Sequence, residues 1–195
     1  MRVVTNSHCL HCWRHIARMS STLAAPQQYC VFVYGTLKTG EPNYGVLRSQ
    51  ENGHAELIGR GKTVKRWPLV IGSSFNIPYL LPCEGRGHNV SGEIYSVDEK
   101  MLHFLDEFEG HPQYYLRTEE EVQGVDLSGN SIRQTAWIYF LKSYKEELLS
   151  KPYLEDYSSK GDHGLEYVER YLRKLKDPKS AHREEVQCTT YGGCT

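Results

Sequence analysis

Two short stretches of the sequence combine residue types and spacing that suit chemistry. In VFVYGTLKTG an apolar run ends abruptly at Tyr34, Gly35, Thr36 and Leu37. Successive turn amides form a concave nest that suits a carboxylate or a phosphate, and Gly35, lacking a Cβ, lets a ligand come close to the backbone. The same residues also read as a strand running into an ordinary surface turn. In LDEFEG, Glu109 lies four residues after Leu105 and next to Phe108. On a helix it borders the apolar face, whereas Asp106 and Glu107 point away from it. Apolar surroundings and the negative end of the helix dipole both disfavour a carboxylate, so a raised pKa is expected, as a general base near neutral pH requires. A solvated acid near a helix end is the plain alternative. Glu93, in SGEIYSV, is the second-ranked acid: it sits on a predicted strand, and whether it faces a cavity depends on the register.

These groups need elements to position them. Residues 29–37 predict a first strand, 55–64 and 68–73 a second and third, and 89–97 a fourth. Asp98 can cap a helix in which Met101, Leu102, Leu105 and Phe108 share one face, and Gly110 followed by Pro112 ends it. Residues 115–122 and 131–141 predict two more strands, paired as a hairpin across QGVDLSGN. Residues 163–177 have helical spacing but are heavily charged. Strands outnumber helices without regular alternation, so the expected fold class is α+β, a small mixed β-barrel with a few packed helices rather than a doubly wound sheet. The expected organisation is a disordered leader over 1–28, one domain over 29–170, and a charged helix end with a disordered tail over 171–195.

Composition excludes several classes of function. The chain has 195 residues, 39% hydrophobic and 24% charged, with a net charge of -1. That describes one globular domain without the clustered Lys and Arg that nucleic acid or an anionic membrane needs. A soluble monomer acting on a small molecule is expected, since no apolar run approaches the roughly 20 residues of a spanning helix. There is no G-x-G-x-x-G, G-x-x-x-x-G-K-[ST] or G-x-S-x-G, so no cofactor and no nucleophile elbow is expected. The six cysteines, Cys9, Cys12, Cys30, Cys83, Cys188 and Cys194, are thinly spread and expected to be reduced. His8, Cys9, His11, Cys12 and His15 make half of a zinc site with no second half, so no metal is expected. Before Glu41 there is no acid, while Arg2, Arg14 and Arg18 sit among Ser and Ala. That is transit-peptide composition, but Met19 serves equally well as the start of a cytosolic protein, and the cytosol is the expected location.

Separated motifs then occur in a recognisable order: VFVYGTLKTGEPNYGVL, PLVIG, NIPYLL, GEIYSVDEKMLHFLDEFEGHPQYYLRT and HGLEY. Together, over about residues 29–168, they resemble the γ-glutamylamine cyclotransferases of the wider gamma-glutamyl cyclotransferase-like (AIG2-like) family. The resemblance implies a small β-barrel with helices around it, with the amides of Tyr34, Gly35, Thr36 and Leu37 holding the glutamyl end of the substrate and Glu109 as proton acceptor. It implies conversion of γ-glutamylamines such as γ-glutamyl-ε-lysine, left over from digested transglutaminase crosslinks, into 5-oxoproline and free amine, with no metal, nucleotide or protein nucleophile. An oxyanion donor is also needed; a backbone amide and the hydroxyls of Tyr34 and Tyr115 are the candidates. Branches acting on γ-glutamyl amino acids or glutathione tend to carry YGS where this chain has Thr36, which favours the amine branch. Those branches, and a non-catalytic relative that binds without turnover, are the alternatives.

Overall fold

A computed structural model of the chain describes residues 27–173 and 181–188. The Cys9 and Cys12 cluster and the acid-free stretch around Arg14 and Arg18 lie outside the described residues.

Five strands close into a barrel in the order β1 (Gln28–Val33), β5 (Ser91–Asp98), β2 (Ala55–Thr63), β6 (Tyr115–Asp126) and β7 (Ser131–Leu141). All neighbours are antiparallel except the closing pair, where Val31 of β1 meets Trp137 of β7 in parallel. A separate hairpin, β3 (Leu69–Gly72) with β4 (Ile77–Leu80), completes the sheet structure. The two-residue period of a strand sorts side chains onto opposite faces. Along β7, Ala136, Ile138 and Phe140 join one apolar cluster with Phe32 and Ile94, while Tyr139 and Leu141 join the other with Val31, Val33 and Tyr95.

A one-turn helix, α1 (Gly45–Arg48), follows β1, and the second cluster is covered by α2 (Glu99–Glu109). Asp98 ends β5 and caps this helix, its Oδ1 accepting from the Met101 amide at 2.8 Å, which satisfies one of the donors a helix start leaves open. Met101, Leu102 and Leu105 are buried from the helix side, each such burial contributing roughly 1.5–3 kcal/mol. Gly110 ends the helix in the left-handed conformation at φ 68°, which a glycine adopts without a Cβ penalty. No helix among the described residues is long and apolar enough to cross a membrane.

Four sequence expectations need correction. The first strand stops at Val33, because the next residues turn: the Lys38 amide donates to Gly35 O at 3.1 Å, and Asn43 to Thr36 O at 2.9 Å. β4 is a strand the sequence does not predict, and its Pro78 is tolerated because, among the described residues, β4 pairs only with β3. Within 163–173 there is no α-helix, only a short 3-10 turn at Arg170–Leu172; Gly164 at φ 69° interrupts the chain, and Tyr167 and Arg173 reach the protein as single anchors instead of one helical face. The expected disordered tail includes a short helix, α3 (Ala181–Val186), whose Val186 is buried in the same cluster as α2. In addition, Cys83 is disulfide-bonded rather than reduced, whereas Cys30 carries a free thiol.

Candidate active site

The end of β1 and the end of α2 meet at one cavity of about 300 Å³. Its lining includes Tyr34, Gly35, Thr36 and Leu37 from the turn after β1, Glu109 from the last position of α2, and Tyr115 from the first position of β6. The link between α2 and β6 explains how Glu109 and Tyr115 come together. With Gly110 left-handed, the amides of Gln113 and Tyr114 both donate to Gly110 O, at 3.0 and 2.8 Å, and this tight loop turns the chain straight back into the barrel. The amides of Gly35, Thr36 and Leu37 donate no hydrogen bond within the described residues. Asn43 secures the turn from behind: its Nδ2 donates to Thr36 Oγ1 at 2.9 Å and to the Tyr167 hydroxyl at 3.1 Å. At Gly35 a Cβ would come within 3.0 Å of Pro78 Cγ, so the glycine serves close packing against β4.

Around Glu109 the walls are phenolic. Burial first, and the Glu109 charge second, push Tyr34 well above the ordinary tyrosine range. Burial likewise raises Tyr114, Tyr115 and Tyr139, with the Glu109 charge a smaller contribution to each. All four are therefore neutral O–H groups at physiological pH. Three of these hydroxyls have protein acceptors: Tyr34 donates to Tyr139 O at 2.8 Å, Tyr114 to the Tyr79 hydroxyl at 3.0 Å, and Tyr139 to Asp106 Oδ1 at 2.8 Å. Tyr115 has no hydrogen-bond partner among the described residues, and its ring is fixed edge-on to Tyr114 at 4.9 Å and stacked on Tyr79 at 6.2 Å. Of the two hydroxyls considered as oxyanion donors, Tyr34 is thus committed to a backbone carbonyl and Tyr115 is open to the cavity. Taken together, the site offers main-chain donors for an anion, a carboxylate able to move a proton, and an O–H donor at Tyr115 that makes no hydrogen bond among the described residues.

A family model described as gamma-glutamyl cyclotransferase, AIG2-like, matches residues 31–159. The chain belongs to this AIG2-like family. It is 48% identical over 148 residues to a rat protein named gamma-glutamylaminecyclotransferase, covering 73% of this chain and 98% of that one. A zebrafish protein named gamma-glutamylaminecyclotransferase B is 47% identical over 153 residues, covering 77% of this chain and 80% of the other. The crystal structure of an AIG2-like mouse protein superposes with a TM-score of 0.69 at 47% identity, covering 74% of this chain and 97% of the mouse chain. The small barrel expected from the sequence is the fold this AIG2-like chain has.

Glu93 of the AIG2-like chain does not line the cavity. It is 5% exposed and its carboxylate is occupied: Oε2 accepts from the Thr39 amide at 2.7 Å, Thr39 Oγ1 at 3.0 Å and the Tyr95 hydroxyl at 2.9 Å, while Oε1 lies 3.4 Å from Arg60 Nε. It ties the loop that follows the Leu37 turn to the barrel wall. Glu93→Gln is expected to retain most turnover and to lower stability by roughly 1–3 kcal/mol, since a charged acceptor of several hydrogen bonds is lost; a thermal melt beside a turnover assay checks both. Asp106 was also misplaced by helical phase alone. It is half-buried, pairs with Arg117 Nη1 at 2.9 Å and accepts from Tyr139, so it orders the tyrosine wall rather than facing water. Sequence reasoning missed Asn43, Tyr114, Tyr139, His182 and Arg183 as cavity residues. Asn43 and Tyr114 lie inside stretches quoted for the family resemblance; Tyr139, His182 and Arg183 carry no local pattern that marks them.

Proposed function

We propose that this chain is a γ-glutamylamine cyclotransferase, converting γ-glutamylamines such as γ-glutamyl-ε-lysine into 5-oxoproline and a free amine. The observation that carries it is the placement, on the same small cavity, of Glu109 and of the amides of Gly35, Thr36 and Leu37, which donate no hydrogen bond among the described residues. The names of the rat and zebrafish relatives support the substrate class. The turn amides hold the α-carboxylate of the glutamyl group, and Glu109 is the proton acceptor. It takes a proton from the α-ammonium, and the freed nitrogen attacks the γ-carbonyl carbon to form a five-membered ring. Tyr115 donates its hydroxyl hydrogen bond to the oxyanion of the tetrahedral intermediate. As that intermediate collapses, the bond to the departing amine nitrogen breaks. Of the three protons on the α-ammonium, one remains on the lactam nitrogen and two end on the amine, which leaves as an ammonium; Glu109 relays them.

Positioning supplies much of the rate. Well-oriented intramolecular reactions reach effective molarities of about 10⁵ M or more, so folding the glutamyl chain between the turn and Glu109 lowers the barrier before any proton moves. As read from the sequence, the enzyme is proposed to act in the cytosol, as a monomer, on a free small molecule.

Parallel incubation with γ-glutamyl-ε-lysine, γ-glutamyl-alanine and glutathione tests the assignment. The expected result is 5-oxoproline from the first at a rate well above the other two. Faster turnover of the amino-acid or tripeptide substrate would transfer the chain to the neighbouring activity, and binding of all three without product would make it a non-catalytic relative.

A further inference from the structure

The last described helix, which lies beyond the matched residues 31–159, reaches back into the catalytic cavity. Helix α3 is held on the protein by several ties. The Glu185 carboxylate accepts from the Ser74 amide at 2.5 Å and from Ser74 Oγ at 2.8 Å. The Lys145 amide donates to Val186 O at 2.8 Å, and the Val186 side chain is buried. With the helix so placed, Arg183 lines the cavity beside Glu109, Tyr114 and Tyr115.

Although Glu109 lines the same cavity, this arginine forms no ion pair among the described residues. Its guanidinium carbon stands 4.6 Å from the centre of the Tyr114 ring, and one terminal nitrogen lies only 2.9 Å from where a Cβ on Gly110 would be, directly after Glu109 in the chain. The Nε is buried without a hydrogen-bond partner, and no carboxylate among the described residues pairs with the side chain. Arg173, the other arginine of the cavity, is different: its Nε donates to Val168 O and its Nη2 to the Tyr167 hydroxyl, both at 3.0 Å, so it serves the framework. A planar guanidinium is matched to a carboxylate, which it grips through two parallel hydrogen bonds. The α-carboxylate of the glutamyl group already has the turn amides. What is left for Arg183 is an anion on the departing half of the substrate.

We propose that Arg183 is a specificity-determining residue that binds a carboxylate carried by the leaving amine, so that this chain prefers γ-glutamylamines whose amine half is an amino acid over those of simple alkylamines. This rests on the cyclotransferase assignment above. The preference is then a property of the appended segment, since residue 183 lies outside the matched domain.

The test compares kcat/KM for γ-glutamyl-ε-lysine with kcat/KM for γ-glutamyl-n-butylamine, which has a similar chain but no carboxylate on the amine half, using the full-length protein. In Arg183→Ala the ratio of the two should fall roughly ten- to a hundredfold, the worth of one charged hydrogen-bonded contact, with the loss mainly in KM. Arg183→Lys, which keeps the charge without the fork, should recover part of it. Glu185→Gln, which loosens the docking of α3 without changing a cavity side chain, should move the ratio in the same direction and keeps the test decisive if Arg183→Ala folds poorly. A ratio within about twofold of wild type in all three variants, or equal losses for both substrates, overturns the assignment of Arg183 alone. A wild-type protein that makes 5-oxoproline from neither substrate overturns the cyclotransferase assignment and this inference with it.

Discussion

Glu109→Gln should lower turnover of γ-glutamyl-ε-lysine by about 10³- to 10⁴-fold, at the upper end of what general acid–base catalysis supplies, because one carboxylate serves both proton transfers. The amide is nearly isosteric but neither accepts the ammonium proton nor returns one to the amine. Binding should change far less, since the turn amides proposed to hold the substrate lie on a separate segment. The fold should survive, because the apolar face of α2 is built from Met101, Leu102 and Leu105, and its ends are set by Asp98 and Gly110. Single-turnover rates and a thermal melt on the same preparation check both parts. A variant that keeps more than a tenth of wild-type turnover, with Glu93→Gln inactive instead, would reverse the assignment of the two acids.

The second large effect is expected at Tyr115. Removing a single oxyanion donor typically costs about 10² to 10³ in kcat, and Tyr115→Phe removes the one cavity-wall hydroxyl that makes no hydrogen bond among the described residues. The ring stays between Tyr79 and Tyr114, so the variant isolates the hydroxyl. Burial holds this phenol well above the ordinary tyrosine range, so it stays an O–H donor across the neutral range and its contribution should not titrate there. Tyr34→Phe makes the comparison: its hydroxyl serves Tyr139 O, so the larger loss should appear in stability, with kcat affected less. Equal kcat in Tyr115→Phe and wild type would assign the oxyanion to a backbone amide.

Where the controlling interactions are local, the sequence was legible. Asp98 and Gly110 sit at the two ends of α2, and the spacing of Met101, Leu102 and Leu105 places its buried face, so the helix and the position of Glu109 beside that face follow from a dozen residues. The β6–β7 hairpin is of the same kind, although β6 runs on to Asp126 through residues that resemble a turn. Failures occurred where apolarity was taken for extended backbone, as at Tyr34 and Leu37, which are buried in a turn. They also occurred where the partner is distant in the chain: Asp106 was assigned to water, yet its partners are Arg117 and Tyr139. Arg183 is distant in the same way. Nothing in AHREEV says that its arginine will stand beside Gly110, because that follows from the docking of Glu185 on Ser74 and of Val186 in the core.

Asp98 is both the final residue of β5 and the cap of α2, so strand and helix share a residue with no linker between them. An α-helix turns about 100° and rises about 1.5 Å per residue. One residue added or deleted between Asp98 and Glu109 would therefore swing the carboxylate about a quarter of the way round the helix, with no slack to absorb the change. Lineages of this architecture should accordingly vary in length at loops such as 126–131, where the chain reverses far from the cavity, while the eleven residues of this helix keep a fixed count.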